Sequence, residues 1–155
     1  MSSLGRTSSV ISTPEYCPSG EQKADYVDRL IATLRHAVPD RAGLAIDVLA
    51  YMLREPRAIE PLIALLHTTP DMAVLKQAIL ALGRFRDQRA IAPLTELLSN
   101  ADSPLVARHA AVEALAQIGG REAEAGIAIS LSDPSPPVRK LAEVKLAAMQ
   151  RGRGG

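Results

Sequence analysis

Apolar residues recur along most of this chain at the three- and four-residue spacing of a helix, and short polar turns interrupt them. Val27, Leu30, Ile31, Leu34 and Val38 form one stripe, closed by Pro39-Asp40. Ala45, Val48, Leu49 and Met52 form a second, closed near Pro56. The pattern then predicts helices over 58–67, 71–86, 89–99, 104–118, 122–131 and 136–150, separated by turns such as TTPD, NADSP and SDPSPP. Eight helices in four hairpins are expected, an all-α fold.

The hairpins repeat by letter. RAIEPLIALL at 57–66 returns as RAIAPLTELL at 89–98. Ala58, Ala90 and Ala123 open the first helices of three units, and Val74, Ala107 and Val138 open the second helices. From those openings Ala78, Ala111, Ala142, then Leu82, Leu115, Leu146, then Phe85, Ile118, Met149 follow at matching offsets, with a period of 31–33 residues. Offsets 0, 4, 8 and 11 share one face of a helix, so every unit carries the same buried stripe. A single hairpin of this size cannot cover that stripe, whereas stacking on a neighbour can, and the period therefore predicts an α-solenoid.

Serine before proline in Ser103-Pro104 and Ser135-Pro136 predicts a serine N-cap with proline opening the helix. Pro61 and Pro93 fall near the first turns of their helices, where a missing N–H costs little. Gly119-Gly120 should end the sixth helix. Offsets 2, 6 and 9 of the second helices point away from the core, giving Lys76, Leu80 and Gly83, then His109, Glu113 and Ala116, then Lys140, Val144 and Ala147.

RAIxPLxxLL, followed by an Asp-bearing turn and V-[RK] with AxxAL, resembles the HEAT-like repeats known as phycobilisome-lyase HEAT-like repeats, over roughly 57–150, with 22–56 as a more divergent unit. The resemblance implies a right-handed superhelix of about four HEAT-like hairpins whose second helices line the concave surface. On that surface Lys76, His109 and Lys140 would form a shallow basic stripe with Leu80, Glu113 and Val144 beside it, as a partner-binding strip. The resemblance also implies a structural ladder of Asp102 with Arg108 and Asp133 with Arg139, and an imperfect rung at Asp71 and Lys76.

Composition narrows the chemistry. Eighteen basic and seventeen acidic residues leave a net charge of +1, which gives no electrostatic reason to expect nucleic acid or an anionic membrane. No apolar run approaches the roughly 20 residues that span a bilayer, and the N-terminal stretch has no signal-like apolar region, so a cytoplasmic location is the default expectation. Residues 1–21 and 151–155 read as disordered tails flanking a domain at 22–150. Cys17, the single cysteine, stands in the first of them with no histidine near it. His36, His67 and His109 are widely separated, Glu122 and Glu124 diverge on a helix, and no phosphate-loop pattern is present. No catalytic residue, metal ligand or cofactor site is therefore expected, and no small-molecule substrate. The expected function is a non-enzymatic scaffold or adaptor that binds another protein on its concave surface. Two alternatives stand beside it: a bilin lyase subunit acting on phycobiliproteins, which the resemblance also reaches, and a HEAT-like nucleic-acid-binding module. The near absence of aromatics, 3% of the chain, argues against a sandwich for a planar tetrapyrrole.

Overall fold

The computed structural model describes residues 19–36 and 39–154; Val38, Cys17 and most of the expected N-terminal arm lie outside them. Eight α-helices follow in order: α1 Gly20–Arg35, α2 Pro39–Asp47, α3 Ile59–Thr68, α4 Met72–Phe85, α5 Ile91–Ser99, α6 Leu105–Ile118, α7 Arg121–Ile129 and α8 Pro136–Arg153. No strand occurs among the described residues. The helices pair as four hairpins, each stacked on the next, so the solenoid predicted by the period is the architecture observed. Second helices stack on one another along one row, α4 and α6 most extensively, and this is the row that the resemblance places on the inner side of the superhelix.

Local chemistry explains the boundaries. Ser19 and Gln22 form a reciprocal capping box at the start of α1, so the helix begins at Gly20, ahead of the arm boundary expected at residue 21. Single 3₁₀ turns at Pro56–Ala58 and Gln88–Ala90 lead into α3 and α5, each capped by an acid, Glu55 or Asp87, that accepts the N–H of the arginine two residues on. Pro61 and Pro93 then stand in the first turn, where no intrahelical bond is lost. At α6 the cap position is Pro104 itself and no side chain caps the helix, which corrects the expected Ser103 cap. Ser135 does precede α8 at the cap position, without a side-chain hydrogen bond. The last helix continues through Arg153, whose guanidinium pairs with Glu124 of α7, so residues 151–153 belong to the fold and not to a tail.

The repeated columns are buried as expected: Val74, Ala107 and Val138, then Ala78, Ala111 and Ala142, are fully in the core, while Leu146, Phe85 and Met149 are half-buried at its edge. In the first hairpin Val27, Leu34, Ala45 and Leu49 are buried as expected, and Met52 departs from its stripe. After Asp47 the chain passes into a π turn, Val48–Met52, in which the Leu53 N–H reaches the Val48 carbonyl at 2.9 Å. The wider turn rotates Met52 off the core, and it is 76% exposed, while Ala42, Ile46 and Ala50 fill the stripe.

Three second helices end at one register, 54, 86 and 119. All three residues are in the left-handed region, Arg54 at φ 49°, Arg86 at φ 55° and Gly119 at φ 75°. Only the last is a glycine. A side-chain residue there costs roughly 1–2 kcal/mol of backbone strain, against roughly 0.5–1 for the extra freedom glycine loses on folding. Arg54→Gly should therefore raise stability by about 0.5–1 kcal/mol in a denaturant melt. Arg86→Gly should gain less, because the Arg86 Nε–H donates to the Gln117 carbonyl at the end of α6, at 2.7 Å. Equal gains from both would mean that this cap contributes nothing.

Candidate protein-binding surface

The inner row of helices presents the strip expected from the offsets. Lys76 on α4, His109 on α6 and Lys140 on α8 are all exposed, at the same register of three successive helices. Val144 is 53% exposed, and Leu80 is half-buried against the core. Glu113 is half-buried, and its carboxylate accepts from Lys145 Nζ of the next second helix at 3.1 Å, so its charge is spent inside the fold. Gly83, read as outward-facing, is buried: its Cα lies against Ala114 of α6, at the closest approach of the two helices.

Sequence reasoning missed most of the apolar part of this face. Leu44 on α2, Met72 on α4, and Leu105 and Val106 on α6 are all exposed, as are Tyr51 and Met52 in the π turn. With Val144 they make seven of the ten exposed large hydrophobic side chains among the described residues, and all seven stand on the second helices or in the π turn that follows α2. Clusters of exposed large apolar side chains are a common feature of contact surfaces. The signal was available: counting two and one residues upstream of each helix opening reaches Met72, Leu105 and Val106, whose wheel positions adjoin offsets 2 and 6.

At the far end of α4 the guanidinium of Arg84 lies over the Tyr51 ring, 5.0 Å from its centroid, a cation–π contact that holds the side chain in place. Arg84, Arg86, Ala116 and Gln117 surround a shallow depression of about 340 Å³. Among the described residues no ion pair involves Lys76, Arg84, Arg86, His109 or Lys140. A second depression of about 360 Å³, between α2 and α4, includes Asp40, Asp47 and Asp71 in its lining. The face thus carries Asp40 and Asp47 beside Arg41 on α2, and from α4 to α8 an excess of basic groups with the exposed Glu143 beside Lys140.

The expected ladder is present in one rung only, and its partners differ from those expected. The Arg108 Nε–H donates to Asp133 Oδ2 at 2.8 Å and Nη2 to Oδ1 at 3.3 Å, a two-pronged bond from one unit to the next, with the side chains 9% and 3% exposed. The same guanidinium donates to the carbonyls of Ala101 and Ser103 in its own turn. Asp133 Oδ1 also accepts the Ser135 N–H at 2.8 Å. Asp102, expected as the partner of Arg108, is exposed and in no ion pair. Two residues explain this. The preceding unit offers Leu75 where the rung needs an arginine, and Pro104, two residues after Asp102, has no N–H to donate. Arg139, expected to pair with Asp133, instead donates to the Asp133 and Pro134 carbonyls. In the second unit Thr69 stands at the ladder position and accepts the Asp71 N–H, while Asp71 caps α4 through Val74; Lys76 has no part in a rung.

A second set of ties links the first helices. Arg57 reaches back to Asp28 at 2.9 Å and Arg89 to Glu60 at 3.1 Å, each from the turn before its helix to the preceding unit. The Arg89 hydrogen bonds hold the Asp87 carboxyl below the ordinary carboxylate range. These pairs are exposed and stabilise little. Among the described residues no three His, Cys, Asp or Glu side chains converge as metal ligands, and no helix is long and apolar enough to cross a membrane. Glu124 is engaged by Arg153 and not by Glu122.

Comparison with known proteins agrees with the geometry. The family model for HEAT repeats matches residues 27–111, and that for the PBS lyase HEAT-like repeat matches 107–133. Deoxyhypusine hydroxylase-B of Oryza sativa subsp. japonica is 30% identical over 138 residues, an alignment covering 77% of this chain and 46% of that protein. The chain thus spans less than half the length of this relative.

Proposed function

The chain belongs to the HEAT-repeat family, and from that premise we propose that it is a binding module that docks another protein on the inner face formed by its second helices. The observation that carries this reading is the placement of the exposed large apolar side chains: seven of ten stand on that row or in the π turn that follows α2, in line with Lys76, His109 and Lys140. A stack of packed hairpins presents these groups already ordered, so a partner need not meet the entropic cost of arranging them.

The test separates the two rows. Tagged protein should capture a partner from its source cells, and the variant Leu105→Asp with Val144→Asp should lose at least about tenfold of it, the scale expected when central apolar contacts are removed. Glu96→Lys with Glu122→Lys, on exposed and unpaired positions of the first helices, should retain capture. Full retention by the inner-face variant, with an unchanged melt, would overturn the proposal.

A further inference from the structure

We infer that the segment received by this face is an acidic, apolar-bearing peptide stretch of the partner protein. The inference rests on the docking function proposed above and concerns its chemistry. From α4 to α8 the free charges of the face are basic in excess. Lys76, Arg84, Arg86 and Lys140 carry no ion pair among the described residues, Glu113 is taken by Lys145, and one exposed carboxylate, Glu143, stands beside Lys140. These basic groups and His109 are interleaved with Met72, Leu105, Val106 and Val144, so that apolar and basic positions alternate across three helices.

Two of the basic groups are held in place. Arg84 rests on the Tyr51 ring, and Arg86 is fixed through Nε on the Gln117 carbonyl, which leaves the two Nη groups of Arg86 free to donate. Between them lies the depression of about 340 Å³. Two guanidinium groups beside one hollow suit a carboxylate, which takes paired N–H donors in a fork. A carboxylate seated there, with others over Lys76, His109 and Lys140, would leave its neighbours to cover the apolar residues. A basic peptide would meet the like charges of Lys76, Arg84, Arg86 and Lys140 on this face, and that repulsion is a source of specificity. On α2 Asp40 and Asp47 stand beside Arg41, so the excess of basic charge lies over α4 to α8.

The experiment is a selection from a random twelve-residue peptide display library on the full chain, followed by affinities of synthetic peptides for variants. Selected peptides should be enriched in Asp and Glu alternating with large apolar residues. Their binding should fall at least about tenfold in Lys76→Glu with Lys140→Glu, weaken steeply with added salt, and fall in Arg84→Gln with the melt unchanged. A peptide with lysine in place of its acids should bind the Glu variant better than the original chain does. Neutral or basic peptides that are lost in Leu105→Asp with Val144→Asp would keep the docking face and overturn its acidic partner. Peptides indifferent to both variants would overturn the face as well. Poly(U) RNA that outcompetes every acidic peptide would overturn the inference in favour of a nucleic acid.

Discussion

Arg108→Ala should lower the unfolding free energy by about 3–5 kcal/mol, because it strands the Asp133 carboxylate in the interior. The magnitude follows from burial. Asp133 is 3% exposed at its side chain and takes both prongs of the Arg108 guanidinium, so removal of the cation leaves a buried charge with the Ser135 N–H as its remaining donor. The Ala101 and Ser103 carbonyls lose a donor in the same step. Asp102→Ala should cost under about 0.5 kcal/mol, since that carboxylate is exposed and unpaired. Arg108→Met combined with Asp133→Asn should recover much of the loss, because no charge is then stranded and the Asn oxygen can still accept the Ser135 N–H. Urea melts of the four proteins decide the matter, and a loss below about 1 kcal/mol for Arg108→Ala would put the pair with ordinary surface bridges.

Gly83→Ala is the second large effect. In a helix interior alanine is favoured over glycine by about 1 kcal/mol, so on α4 alone the substitution should stabilise. The neighbour reverses the sign. A Cβ at residue 83 would meet the Ala114 Cα at 2.7 Å and its Cβ at 2.9 Å, and these atoms can yield only by parting α4 from α6. Overpacking of this kind costs about 1–3 kcal/mol and sometimes more, and a net loss of about 2 kcal/mol is expected at the tightest joint of the stack. Gly152→Ala, in the last turn of α8 where nothing lies within 4 Å of the added atom, should gain a few tenths of a kcal/mol. Thermal melts of the two variants should move in opposite directions; a neutral or stabilising Gly83→Ala would show that the helices separate freely.

The inner strip was legible in part. Lys76, His109 and Lys140 project from the inner row as their offsets required, because a helix converts spacing into direction without help from its neighbours. Leu44 escaped notice since its hairpin departs from the repeat's letters, and the aligned register alone brings it level with Lys76. Glu113 read as a free surface acid, yet Lys145, thirty-two residues away on the next helix, takes its charge.

The sequence by itself determined the helices, their pairing and the stacked architecture, because a period of 31–33 residues and a buried stripe repeated within it are local properties of the chain. The ends and joints were decided only in the tertiary structure. Arg108 binds the aspartate of the following unit and not the nearer Asp102, since a helix at offset 1 faces the next hairpin and the turn before it does not. Gly83 faces another backbone although its wheel position points outward, because α4 and α6 approach closely enough to cover it. Met52 left the core when a π turn added a residue to the ring, and α8 ran on to Arg153 where Glu124 could hold it. Each outcome turns on a residue of another helix whose distance in space the order of letters does not contain.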